Sequence, residues 1–262
     1  MLEYIPYCFS KKDIIDNFKD KTQFDNWLRT KIKNGVIKKI HNGLYVTVDS
    51  MKNINATKYE IACKISDSAF LCYHSALEYY GLANQVFNEL VVGSITRFNH
   101  FEFDGINYFC KHTNNQFEIN NLINEKIKVT SIERTLIDCI DDIDLAGGIE
   151  EVLNALENIK GLSENKIMNI LTNYNKVILY QKVGYIFEQY NDYLKLSASF
   201  FDHLQEHLTN QVKYFLNDDY NNVEYNLQGN EGYKETLIKQ QELLQTNQSI
   251  LEESQGGYVT VW

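Results

Sequence analysis

Apolar positions in the first fifty residues fall into two helical spacings followed by an alternating pair. Ile14, Ile15 and Phe18 predict a helix over residues 11–18, with Ser10 as its N-cap. Thr22 can cap a second helix, in which Phe24, Trp27, Leu28 and Ile32 recur at i, i+3, i+4 and i+8 and form one stripe. Asn26, Arg29, Thr30 and Lys33 then face away from that stripe. Asn34-Gly35 ends the helix, because glycine accepts the left-handed conformation that closes one. Residues 36–40 and 44–48 predict a hairpin across His41-Asn42-Gly43, the Asn-Gly pair supplying positive φ for a tight turn.

Beyond Asp49 helical and strand patterns mix. A helix over 56–66 precedes an apolar run at 69–73, and CYHSALEYYGL predicts a helix over 75–80 closed by Gly81. ELVVG at 89–93 reads as a strand. HFEFDGINYFCK reads as a hairpin about Asp104-Gly105, and residues 127–129 add a further strand, giving an antiparallel or mixed sheet. In VTSIERTLIDCI, Thr130 and Glu133 have the spacing of a capping box, and Ile132, Leu136, Ile137 and Ile140 supply a buried face. Gly147-Gly148 breaks the chain before helical patterns over 149–158, 163–174, 177–190 and 197–216. A polar helical run over 233–253 and a terminal strand in GGYVTVW complete the pattern. The expectation is an α+β protein: a headpiece over 1–50, a mixed α/β domain over 51–196 with a helical second half, and a helical, acidic extension over 197–262.

Charge changes the picture at one place. The 262-residue chain has a net charge of −10, yet residues 1–50 hold nine Lys/Arg against six Asp/Glu, and residues 21–45 hold six against one. A basic island on an acidic chain suits a polyanion, since local potential governs attraction to phosphates more than total charge does. Five scattered cysteines without a C-x-x-C pair read as buried thiols. No run approaches the roughly 18 apolar residues that span a bilayer, and the N-terminus lacks the order of a signal peptide. A cytoplasmic protein without a membrane partner is therefore expected.

Two helices and a hairpin describe a winged helix-turn-helix. In that geometry the second helix enters the major groove and the hairpin is the wing. Arg29 and Asn26 suit base edges, Arg to guanine and Asn to adenine, with Thr30 on the same face. Lys33 and the wing residues Lys38, Lys39 and His41 suit the phosphate backbone. A winged helix used only for protein contacts is the alternative.

The order of segments carries a resemblance. A headpiece ending in NGVIKKIHNGLYV, then YHSALEYYGL, ELVVGSITRF, VTSIERTLIDCI and AGGIEEVLNAL, resembles the AbiEi family over roughly residues 1–195. Members are antitoxins and repressors of type IV toxin-antitoxin systems in abortive infection of phage-infected bacteria. The resemblance implies a winged helix binding inverted repeats of double-stranded DNA in its own promoter, as a possible homodimer. It also implies a C-terminal domain that counteracts a nucleotidyltransferase toxin without forming a stable complex with it. The extended basic face that members often carry on the C-terminal domain would have few lysines to draw on here.

Chemistry of other kinds has three candidates. His203-Leu204-Gln205-Glu206-His207 fits H-x-x-E-H, two histidines on one helix face with Glu206 as a base; Glu224, Glu231 and Glu235 are available as a distal zinc ligand. Glu133, Asp138, Asp141, Asp142 and Asp144, with Lys126 and Lys128 nearby in sequence, could gather around a nuclease metal. Arg134 and Asp138 can instead pair at i, i+4. His74 and Arg97 are isolated polar residues. No Walker loop, dinucleotide fingerprint or serine elbow is present. The leading expectation is therefore a DNA-binding protein that is not an enzyme and needs no cofactor or metal. A protein-interaction module of a phage-defence system and a metal-dependent nuclease stand as alternatives.

Overall fold

A computed structural model describes residues 4–122 and 126–207. The helical run at 233–253, the terminal strand, Glu224, Glu231, Glu235 and the part of the 197–216 helix beyond His207 lie outside those residues. The protein is α+β. The chain opens with β1 (Cys8–Ser10), α1 (Lys11–Ile14), a 3-10 turn at Ile15–Asn17, α2 (Lys21–Lys33), β2 (Ile37–His41) and β3 (Leu44–Thr47). The three strands form an antiparallel sheet in the order β1-β3-β2.

Local chemistry explains where these elements depart from the sequence pattern. Ser10 starts α1 as expected, its amide donating to Asp13 Oδ2 at 2.5 Å. The α-helix ends after four residues, where the Asn17 side chain donates to the Ile14 carbonyl at 3.1 Å and takes the acceptor a further helical turn would use. Asp20, not Thr22, caps α2: its carboxylate accepts the Gln23 amide at 2.8 Å, and Gln23 Oε1 accepts the Lys19 amide at 2.7 Å. Phe24 and Leu28 are buried and Trp27 is half-buried, but Ile32 is 38% exposed. At 3.6 residues per turn Ile32 lies about 80° from Phe24 and Lys31 only about 20°, so the half-buried Lys31 occupies the stripe instead. The hairpin turn also differs. Only Gly43 (φ +71°) takes positive φ, with a bulge between Lys39 and His41, whereas Asp104 (φ +55°) and Gly105 (φ +76°) both do.

The remainder comprises α3 (Lys58–Lys64), β4 (Phe70–Leu71), α4 (His74–Tyr79), β5 (Glu89–Ser94), β6 (Phe101–Phe103), β7 (Ile106–His112), β8 (Ile119–Leu122) and β9 (Ile127–Thr130). Helices follow: α5 (Ile132–Asp141), α6 (Ile143–Ala146), α7 (Ile149–Asn158), α8 (Glu164–Tyr174), α9 (Val177–Gln189), α10 (Asn191–Leu194) and α11 (Ala198–Glu206). The second sheet has six strands, ordered β6-β7-β5-β4-β9-β8, with parallel pairs β5/β7 and β4/β9. Gly93 lets β5 close on its neighbour, since a Cβ there would sit 2.4 Å from the Phe70 ring.

Helix α5 joins sheet and helices. Every residue from Glu133 to Ile140 is buried, and the helix packs on α4, α7, α8 and α9. The largest apolar cluster runs from Leu77 through Leu136, Ile140, Leu156, Ile170 and Val183 to Phe200 and Leu204 of α11. The three-stranded sheet has two apolar faces. Phe9 and Ile37, with Tyr45, pack under α2. Leu44 and Val46, with Cys8 and Ile40, pack with Ile61, Phe103 and Tyr108 of the larger unit. Among the described residues no helix is long and apolar enough to cross a membrane, and all five cysteines are free thiols.

Candidate functional site

Asn26, Arg29, Thr30 and Lys33 are all exposed on the α2 face opposite Phe24, within an arc of about 100°. The Thr30 hydroxyl donates to the Asn26 carbonyl at 2.8 Å, so its proton is used within the helix. Among the described residues Lys19, Lys21, Arg29, Lys31, Lys33 and Lys39 form no ion pair or ring contact. By contrast, Lys58, Lys64, Lys111, Lys126, Lys166 and Lys176 each meet a carboxylate. Lys52, Arg97, Lys160 and Lys195 are also without an ion pair, but they lie far apart in the chain, so residues 19–39 hold the densest run of unpaired cations among the described residues. Lys19, Lys21 and Lys31 belong to this set and were not singled out from sequence, although the charge count over 21–45 already contained two of them.

The hairpin divides the remaining expected residues between two faces. Lys39 lies opposite Tyr45 and is exposed. Lys38 lies opposite Val46, and its Nζ sits 5.0 Å over the Phe103 ring. His41 packs at a tilt against Phe101, ring centroids 4.4 Å apart, and is half-buried. Burial, followed by the Lys39 charge, pushes the His41 imidazole below its ordinary value, so it is neutral at pH 7. The expected set thus separates: α2 and Lys39 face outward, while Lys38 and His41 lean on the β6–β7 hairpin.

SIERTLID forms a second polar cluster, organised by long-range partners. Ser131, not Thr130, caps α5 by accepting the Arg134 amide at 3.3 Å. The expected Thr130–Glu133 capping box does not form, because Glu133 Oε1 accepts the Ser163 amide at 3.2 Å, thirty residues on, and Thr130 Oγ1 bonds Thr135 Oγ1 at 2.7 Å. Arg134 is 2% exposed. Its guanidinium lies between the rings of Phe70 (5.2 Å) and Phe117 (4.6 Å), donates to the carbonyls of Phe117 and Asn115, and approaches Asp138 Oδ2 at 3.3 Å. Asp138 also accepts a hydrogen bond from the Tyr174 hydroxyl. Burial outweighs these partners and pushes the Asp138 carboxyl up to about 6.

The nuclease constellation is not assembled. Asp138 serves Arg134 and Tyr174, Asp141 pairs with Lys176 at 2.5 Å, Asp142 pairs with Lys111 at 2.8 Å, and Lys126 meets Glu60. Among the described residues no three His, Cys, Asp or Glu side chains are placed to hold a metal ion. In the H-x-x-E-H segment, His203 and Glu206 are exposed, while His207 ends α11 and stacks on Tyr180 at 4.5 Å. Its three candidate distal acids lie outside the described residues.

No protein family and no curated protein matches the chain. Among solved structures, the crystal structure of the RV2827C protein from Mycobacterium tuberculosis is similar, with a TM-score of 0.53 and 11% sequence identity, over 79% of this chain and 78% of that one. At that identity the likeness is one of fold alone.

Proposed function

We propose that this protein binds double-stranded DNA through an N-terminal winged helix, with α2 as the recognition helix and β2–β3 as the wing. We further propose that it acts as an antitoxin and autorepressor of the AbiEi type. One observation carries the DNA reading: Arg29 and Lys33 on the exposed face of α2, and Lys39 on the hairpin, have no carboxylate partner among the described residues, within the most basic stretch of an acidic chain. Arg29 and Lys33, left unneutralised on one exposed helix face, can release counterions when they meet phosphates, and such release supplies most of the non-specific affinity for DNA. Arg29 and Asn26, one turn apart on the same face, carry the side-chain groups that suit guanine and adenine edges. What supports the toxin relationship is the resemblance in segment order to that family.

The test is fluorescence anisotropy with the DNA upstream of the gene, over a range of salt concentrations. Tight binding with a steep salt dependence, weakened by Arg29→Ala and Lys33→Ala, is expected. Failure to bind any upstream fragment overturns the reading. Co-expression with a neighbouring nucleotidyltransferase gene tests the antitoxin part: relief of growth arrest is expected, and unrelieved arrest rejects it.

A further inference from the structure

The outward arc of α2 carries side chains that differ in what they have left to offer a partner. Asn26, Arg29 and Lys33 are exposed, and the side-chain amide, guanidinium and ammonium groups all lack a hydrogen-bond or ionic partner among the described residues. Thr30 is the exception on that arc. It is equally exposed, but its hydroxyl turns back along the helix and donates to the Asn26 carbonyl at 2.8 Å. A threonine has one proton to give, and here the preceding turn takes it. The methyl group on the same Cβ is the part of the side chain not committed to the helix.

Resting on the reading of α2 as a recognition helix, we infer that Thr30 selects thymine, its methyl packing against the C5 methyl that thymine projects into the major groove. This contact asks neither side to surrender a hydrogen bond. A hydroxyl that donated to a base edge would first have to leave the Asn26 carbonyl. The position of Thr30 also fixes where the thymine lies. Four residues of helix rise about 6 Å and base pairs stack about 3.4 Å apart, so positions 26 and 30 span about two base-pair steps. They are also only about 40° apart around the helix, so both address one stretch of groove. Asn26 keeps its whole side-chain amide for an adenine, since Thr30 uses only its backbone carbonyl. The base pattern that fits this face is therefore an adenine and a thymine within two steps of each other, with a guanine facing Arg29 on the other side of the arc.

The experiment is fluorescence anisotropy of the full chain, at one fixed salt concentration, with the upstream duplex in which thymines are replaced singly by deoxyuridine. That replacement removes the methyl and leaves base pairing intact. Weakening of about fourfold, the worth of one buried methyl-sized group, is expected at one or two positions and no change at the others. Thr30→Ser keeps the hydroxyl and lacks the methyl, and is expected to bind the thymine and deoxyuridine duplexes equally. Thr30→Val keeps a methyl and lacks the hydroxyl, and is expected to retain the preference. Thermal unfolding of both variants is expected to match the parent, since the side chain is exposed. The inference is overturned if deoxyuridine binds like thymine at every position, if Thr30→Ser keeps the preference, or if Thr30→Val loses it. Binding of the upstream DNA without any thymine preference removes this inference alone, whereas absence of binding removes the recognition helix with it.

Discussion

His74 Nε2 lies 3.6 Å from Glu151 Oε2, with both side chains almost wholly buried. Neither imidazole nitrogen makes a hydrogen bond of good geometry, and the ring rests against Phe87 at 4.2 Å. Glu151 Oε2 also accepts the Asn84 amide at 2.9 Å, so the pair pins the loop between α4 and β5 onto α7. Burial lowers the His74 pKa from 6.5, against the opposing pull of Glu151 and Glu78. A group harder to protonate in the folded state gives stability that is complete above its unfolded pKa and declines as pH falls below it. Urea midpoints are therefore expected to drop on acidification from pH 7 through 6, and His74→Gln to flatten that drop. An unchanged slope in the variant removes His74 as its source.

Asp138 has the opposite sign. Its carboxyl is raised from 3.8 to about 6, so the folded state takes up a proton more readily. Its contribution is complete below about pH 3.8 and is lost as pH rises through 6. Asp138→Asn, read by urea unfolding at pH 5 and pH 7.5, should reduce the loss on going to the higher pH. A larger loss would contradict the assignment.

Arg134→Lys is expected to destabilise by about 3–5 kcal/mol, the usual cost of breaking a buried pair. A lysine ammonium cannot reach two loop carbonyls and a carboxylate from one plane, nor stack between Phe70 and Phe117 as a flat guanidinium does. Chemical unfolding measures the loss; a variant as stable as the parent refutes the clamp.

Lys39 and His41, two residues apart on one strand, are expected to behave differently on DNA. Lys39→Ala should reduce the slope of log affinity against log salt by about one, the signature of one lost phosphate contact. His41→Ala should leave that slope unchanged, because the ring is neutral and engaged with Phe101. Equal effects would refute the division of the hairpin into a free face with Lys39 and a packed face with His41.

What sequence spacing revealed was local. α2, both hairpins, α7, α8, α9 and the described part of α11 follow from periodicity and turn residues that act within a few positions of each other. β1 has only three residues, too few for alternation to register, and β8 is a polar edge strand carrying Asn120 and Asn121. The departures at the candidate sites all arise from distant partners. Glu133 leaves its own helix end for Ser163, His41 finds Phe101, and Asp138 finds Tyr174. The exposed arc on α2 was legible because a helix of fixed pitch dictates its opposite faces. Which hairpin residues stay free was not, since the larger unit decides it.

The three-stranded sheet is sandwiched, with Phe9 and Ile37 beneath α2 and Leu44 and Val46 against Phe103 and Tyr108. A headpiece cut away after residue 50 would therefore lay bare a greasy underside and forfeit much of its folding energy. It is a fixture rather than a tethered module, and a load applied at α2 passes directly into the six-stranded sheet.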